Sequence, residues 1–84
     1  MKPELKKILD IVAGLAGNDV KKDVLETDII SRSGLVDVEV RKHLNDLEWV
    51  HLVKDVQPRP SRPDWRLWSI TEKGLQEVSD KNLR

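Results

Sequence analysis

Apolar residues recur at helical spacing along the first part of the chain. Leu5, Ile8, Leu9, Val12 and Leu15 lie three or four apart, the stripe that one face of a helix turns toward a core. The spacing predicts a first helix over 3–16. Pro3 suits its first turn, where a missing N–H loses no bond. Gly17-Asn18 supplies the stop, because both residues tolerate the left-handed conformation. Val20–Lys22 reads as a connector or a short strand. Asp23 and Glu26 have the spacing of a capping box, with Asp in place of Ser or Thr. Leu25, Ile29 and Ile30 then predict a short second helix that ends at Ser33-Gly34. Asp37 can cap a third helix over 38–49, whose inward positions are Val40, Leu44 and Leu47.

Beyond residue 50 the period changes. Leu52, Val53 and Val56 fit one strand and Trp65–Ile70 fits another. The segment between them, 57–64, holds three prolines and two arginines. Proline cannot donate to a sheet ladder, so this segment is a loop closing a hairpin. Thr71 caps a final helix, with Leu75 and Val78 inward and the tail fraying from Asp80 onward. Two short helices joined through a glycine turn, followed by a hairpin and a last helix, predict an α+β winged helix-turn-helix. It has a three-helix core, a two- or three-stranded sheet carrying a hairpin wing, and a C-terminal helix.

Eighty-four residues form one domain over 1–84 with a single small core. The absence of cysteine excludes disulfides and thiolate metal sites. No apolar run approaches the roughly 20 residues of a membrane span, and the amphipathic start argues against a secretory signal. A cytoplasmic protein is the simplest expectation. Fifteen Lys and Arg balance 15 Asp and Glu, which counts against strong non-specific nucleic-acid binding. A local basic patch can still act in a neutral chain.

Two surfaces concentrate candidate chemistry. At about 100° per residue, the third helix turns Val38, Lys42, Asn45 and Trp49 outward, flanked by Arg41 and Asp46. Asn45 has the chemistry to read adenine, and Arg41 or Lys42 to reach guanine or phosphate. In segment 57–68, Arg59, Arg62 and Arg66 are opposed by Asp64 alone; such a basic loop can straddle phosphates or enter a minor groove. Arg32, Lys21 and Lys22 are further candidates for backbone contacts. Trp68 alternates with Ile70 and belongs to the core. Trp49 and Trp65 are harder to bury and are candidate interface residues, since Trp is favoured at association hot spots. His43 and His51 lack zinc-ligand partners, and no serine sits in a nucleophile setting. No cofactor, metal, small-molecule ligand or enzymatic activity is expected.

His43-Leu44-Asn45-Asp46-Leu47-Glu48 followed by Leu52-Val53 resembles the end of the recognition helix in bacterial and archaeal winged-helix regulators of the MarR type. Ile70-Thr71-Glu72-Lys73-Gly74 resembles the Leu-Thr-Glu-Lys-Gly signature that opens their last helix. The resemblance covers nearly the whole chain. It departs where His51 replaces the usual glycine before Leu-Val, where Trp49-Val50 replaces a charged turn, and where the wing is proline-rich. The resemblance implies sequence-specific binding of double-stranded DNA in transcription regulation. Helix 38–49 would enter the major groove and wing 57–64 would lie on the flanking backbone. It also admits a homodimer, or a protein partner, through Trp49 and the C-terminal helix. The alternative is an interaction module of the same fold that does not read DNA. Zero net charge, the acids Asp37, Glu39, Asp46 and Glu48, and outward Trp49 motivate it.

Overall fold

The computed structural model describes residues 2–56 and 66–82, the last four by backbone alone. Helix α1 (Pro3–Ala16) is followed by β1 (Val24–Leu25), α2 (Glu26–Ser33), α3 (Asp37–Trp49), β2 (Val53–Asp55), β3 (Leu67–Ile70) and α4 (Glu72–Asn82). This is the expected order of a winged helix. Among the described residues the sheet is antiparallel with order β1-β3-β2, so β3 is the central strand. None of the described helices is long and apolar enough to cross a membrane.

The predicted apolar stripes all face one core. Ile8, Leu9, Val12, Ala13 and Ala16 of α1 meet Ile29 of α2 and Val40, Leu44 and Leu47 of α3. Val24, Leu52, Val53, Trp68 and Ile70 close it from the sheet side. Leu75 and Val78 of α4 pack at its edge, half-buried. Trp68 has no exposed surface, as its alternation with Ile70 predicts.

The stops follow backbone conformation. Gly17 (φ 62°) and Asn18 (φ 61°) are both left-handed. The Asn18 N–H donates to the Ala13 carbonyl at 3.0 Å and that of Gly17 to Gly14 at 3.2 Å, the paired bonds of a Schellman end. Gly34 (φ 72°) makes the tight turn between α2 and α3. Ser33 Oγ seals that turn, donating to the Ile30 carbonyl at 2.9 Å and accepting from the Leu35 N–H at 3.0 Å.

Several local expectations give way to tertiary partners. The short strand lies at Val24–Leu25, not over 20–22, because it exists only by pairing with Trp68 and Leu67. Asp23 therefore precedes this strand and makes no capping box. Helix α2 begins at Glu26 itself, with Leu25 as N-cap and no side-chain cap. Asp37 is the first residue of α3 rather than its cap, and its Oδ1 accepts from the adjacent Val38 N–H at 2.9 Å. The hairpin strands are shorter than predicted, leaving Val56 and Arg66 just outside them. Helix α4 runs on to Asn82.

The start of α4 docks on the turn after α3. Thr71 Oγ1 accepts from the Gly74 N–H at 3.0 Å, the expected cap, and donates to the His51 carbonyl at 2.6 Å. Its backbone N–H reaches the Leu52 carbonyl at 3.2 Å, and Lys73 Nζ reaches that of Val50 at 3.2 Å. A Cβ on Gly74 would overlap the Leu52 carbonyl oxygen and sit 2.8 Å from Ile70 Cγ1. The Thr-Glu-Lys-Gly run thus has a physical reason in three of its four residues. Across this junction α3 ends in a second Schellman pair, Leu52 to Leu47 and His51 to Glu48, each 2.9 Å. His51 holds the left-handed position at φ 64°, where glycine is usual.

Candidate nucleic-acid interface

Helix α3 buries Val40, Leu44 and Leu47 completely and turns the opposite side to solvent. Val38 is 68% exposed, and Lys42 and Asn45 are exposed beside it. Trp49 continues this strip at the helix end, 85% exposed. The sequence-predicted outward face is therefore one continuous strip, polar in the middle and apolar at both ends. Arg32 is exposed on the last turn of α2. Arg59, Arg62 and Trp65 lie outside the described residues.

Four carboxylates share α3 with Arg41 and Lys42, and two of them are engaged within the fold. Asp37 Oδ2 lies 3.5 Å from Arg41 Nη1, and Glu48 Oε2 accepts from the Asp55 N–H at 3.3 Å. Glu39 and Asp46 lie toward the start of α1, where with Lys2, Glu4, Lys42 and His43 they border a shallow polar hollow. Among the described residues, no three His, Asp or Glu side chains converge to hold a metal ion.

Arg41 and Arg66 are both tied into the fold. Arg41 Nε donates to Glu26 Oε2 at 3.0 Å. That hydrogen bond first, then the Glu26 charge, raises the Arg41 pKa above its ordinary value. Stability drawn from a raised pKa is present below the unfolded value and lost only above the folded one, so Arg41 stays charged at any pH near neutral. Arg66 Nη2 donates to Asp55 Oδ2 at 3.2 Å, and its guanidinium lies 4.5 Å from the centre of the Trp68 ring. Its partner is across the hairpin stem, where strand pairing sets Asp55 opposite Trp68.

Glu26 escaped the reading from sequence. It is only 3% exposed, and its second oxygen accepts from Trp68 Nε1 at 3.3 Å. The signal was present in part. Glu26, Ile29, Ile30 and Ser33 share one helical stripe, and an acid on an apolar stripe needs a buried donor. The cap-like spacing from Asp23 offered a local explanation instead.

A second feature lies beside Trp49. Leu5, Leu47, Trp49, Val50 and Leu52 line an apolar groove of about 470 Å³ between the start of α1 and the end of α3, with Lys2 and Asp46 on its rim.

No protein-family model matches the chain, and no curated protein is found as a relative. Solved structures do match. The zinc-responsive MarR family member ZitR of Lactococcus lactis is 21% identical over 99% of this chain, with a TM-score of 0.73. A candidate DNA-binding protein of Ralstonia eutropha JMP134 is 17% identical, with a TM-score of 0.75 and 96% of each chain covered. A mutant of S. aureus MepR is 16% identical over 99% of this chain, with a TM-score of 0.68. The chain spans 52% of the ZitR structure and 61% of the MepR structure. At these identities the likeness is one of architecture: the chain has a MarR-like winged-helix fold.

Proposed function

We propose that this protein binds double-stranded DNA in transcription regulation, with α3 in the major groove and wing 57–64 on the flanking backbone. The observation that carries this reading is the solvent-facing strip of Val38, Lys42 and Asn45 on a helix whose other face is entirely buried. Thirteen residues make α3 about 20 Å long, and the major groove admits one helix across its roughly 12 Å width. Asn45 has the donor and acceptor pair that matches adenine, and Val38 can meet a thymine methyl. Lys42 supplies charge for guanine or phosphate. Arg32 at the end of α2 and Arg59 and Arg62 in the wing are assigned to phosphate contacts, which position the protein without reading sequence. Arg41 and Arg66, the other two candidates, have partners inside the fold and reach DNA only by exchanging them.

Titration of the full chain with a mixed-sequence duplex over a range of salt tests this reading. Lys42→Ala is expected to weaken binding and to lower the slope of log K against log salt by about one. An unchanged affinity and slope would remove α3 from the interface.

A protein partner or second copy is the other reading, favoured by the 85% exposure of Trp49 above an apolar groove. A dimer through Trp49 and the last helix would present two recognition helices, as paired half-sites about one DNA turn apart require. Sedimentation equilibrium with Trp49→Ala as control tests it; a monomer at high concentration rejects the dimer.

A further inference from the structure

Six side chains form one continuous chain of alternating partners through the domain: Asp37, Arg41, Glu26, Trp68, Arg66 and Asp55. The links are 3.5 Å from Asp37 to Arg41 and 3.0 Å from Arg41 to Glu26. They continue at 3.3 Å from Trp68 Nε1 to Glu26, 4.5 Å from Arg66 to the Trp68 ring, and 3.2 Å from Arg66 to Asp55. The chain starts on the first turn of α3, passes through the first residue of α2, and ends on both strands of the hairpin stem. The backbone adds to it, because the Glu26 N–H donates to the Arg66 carbonyl at 2.9 Å.

We infer that Glu26 is a positioning residue that clamps the recognition helix to the base of the wing, and that Arg41 is the jaw of this clamp rather than a reader of DNA. The inference rests on the proposed DNA-binding function and deepens it. Four observations support it. Glu26 spends both carboxylate oxygens on partners from two other elements, α3 and β3. A carboxylate removed from water is retained where its donors are fixed, and here one donor is an indole with no exposed surface. Arg41 Nε is held by Glu26 at the start of α2 and its Nη1 faces Asp37, so the guanidinium is engaged by two acids of the fold. Both flanks of the clamp end on carboxylates, which hold the two arginines away from phosphate.

The clamp fixes the angle at which Val38, Lys42 and Asn45 project relative to the hairpin stem. Its loss should therefore change how the protein meets a duplex without removing a phosphate contact. Removing Glu26 should do more: it frees a cation beside the DNA-facing strip.

The test uses the full chain and a mixed-sequence duplex, with affinity measured against salt. Arg41→Ala is expected to weaken binding about fivefold at every salt concentration, the loss of one hydrogen-bonded tether, with an unchanged salt slope. Glu26→Gln, which keeps the shape of the side chain, is expected to steepen the slope by about one as Arg41 is released. A drop in slope for Arg41→Ala equal to that for Lys42→Ala would overturn the inference, because Arg41 would then be contacting phosphate. If the unaltered protein binds no duplex, the DNA reading fails and the clamp is judged separately. The indole N–H resonance of Trp68 should shift in both variants, and an unmoved resonance in Arg41→Ala would overturn the clamp itself. Arg41→Ala changes a side chain that is 46% exposed, so it keeps the test open should Glu26→Gln not fold.

Discussion

The two ends of α3 are held in different ways. At its start the helix is tied by side chains, through Arg41 to Glu26 and onward to Trp68. At its end it is tied by backbone, with the carbonyls of Val50, His51 and Leu52 taken by Lys73 and Thr71. The side chains of Trp49, Val50 and His51 stay in solvent, Trp49 most of all, while Leu52 turns into the core. The contrast teaches where substitution is tolerated. A backbone junction constrains conformation and close approach and leaves side-chain identity free, so a tryptophan can stand at its edge in solvent. A side-chain junction constrains identity, and the acid at position 26 cannot be exchanged without orphaning its donors.

Changes at each junction should separate these two modes. The largest effect is expected from Gly74→Ala at the backbone junction. Its Cβ would meet backbone that cannot move independently, so stability should fall by about 2–4 kcal/mol, measured by urea unfolding. A loss under half a kilocalorie would show that α4 can lift off the turn, and the junction would be far softer than described.

Next is Trp68→Phe at the side-chain junction. The ring stays under Arg66, but Glu26 loses a donor and a small void opens, a combined loss of about 1–3 kcal/mol. A neutral result would mean that Glu26 finds a second donor readily and that the clamp is not specific.

The smallest effect should carry the opposite sign. His51 sits at φ 64° with its side chain exposed, so His51→Gly relieves a left-handed strain. A gain of about 0.5–1 kcal/mol is expected, net of the greater freedom glycine gives the unfolded chain. Destabilisation would show that the imidazole makes a contact outweighing the strain.

The same contrast explains what could be read from the amino acids. The helices, the glycine turn, the Thr71 cap and the burial of Trp68 were all legible, because each follows from spacing or from local backbone preference. The outward strip of α3 was legible for the same reason. Strand β1 was not, since two residues have no period and their partners Trp68 and Leu67 stand far along the chain, on β3. Glu26 was misplaced as a cap because a local motif fitted it and its true partners lie on α3 and β3. Arg41 followed the same course: the helical wheel gives its direction, but only the fold shows the acid waiting on α2. Arg66 was read beside Asp64 in sequence, whereas its partner Asp55 comes from across the hairpin.

The position of β3 has a consequence for the order of assembly. Among the described residues, strands β1 and β2 both pair with β3, and β3 is the last of the three to leave a ribosome. Until residue 70 is available no sheet can exist, and Glu26 waits for the indole that will satisfy it. The helix-turn-helix is synthesised first, but the contacts of Glu26 with β3 become available only once the hairpin can close. Long-range pairing of this kind sets the pace of folding. A nascent chain halted before β3 would carry the recognition helix without the strand that holds it in place.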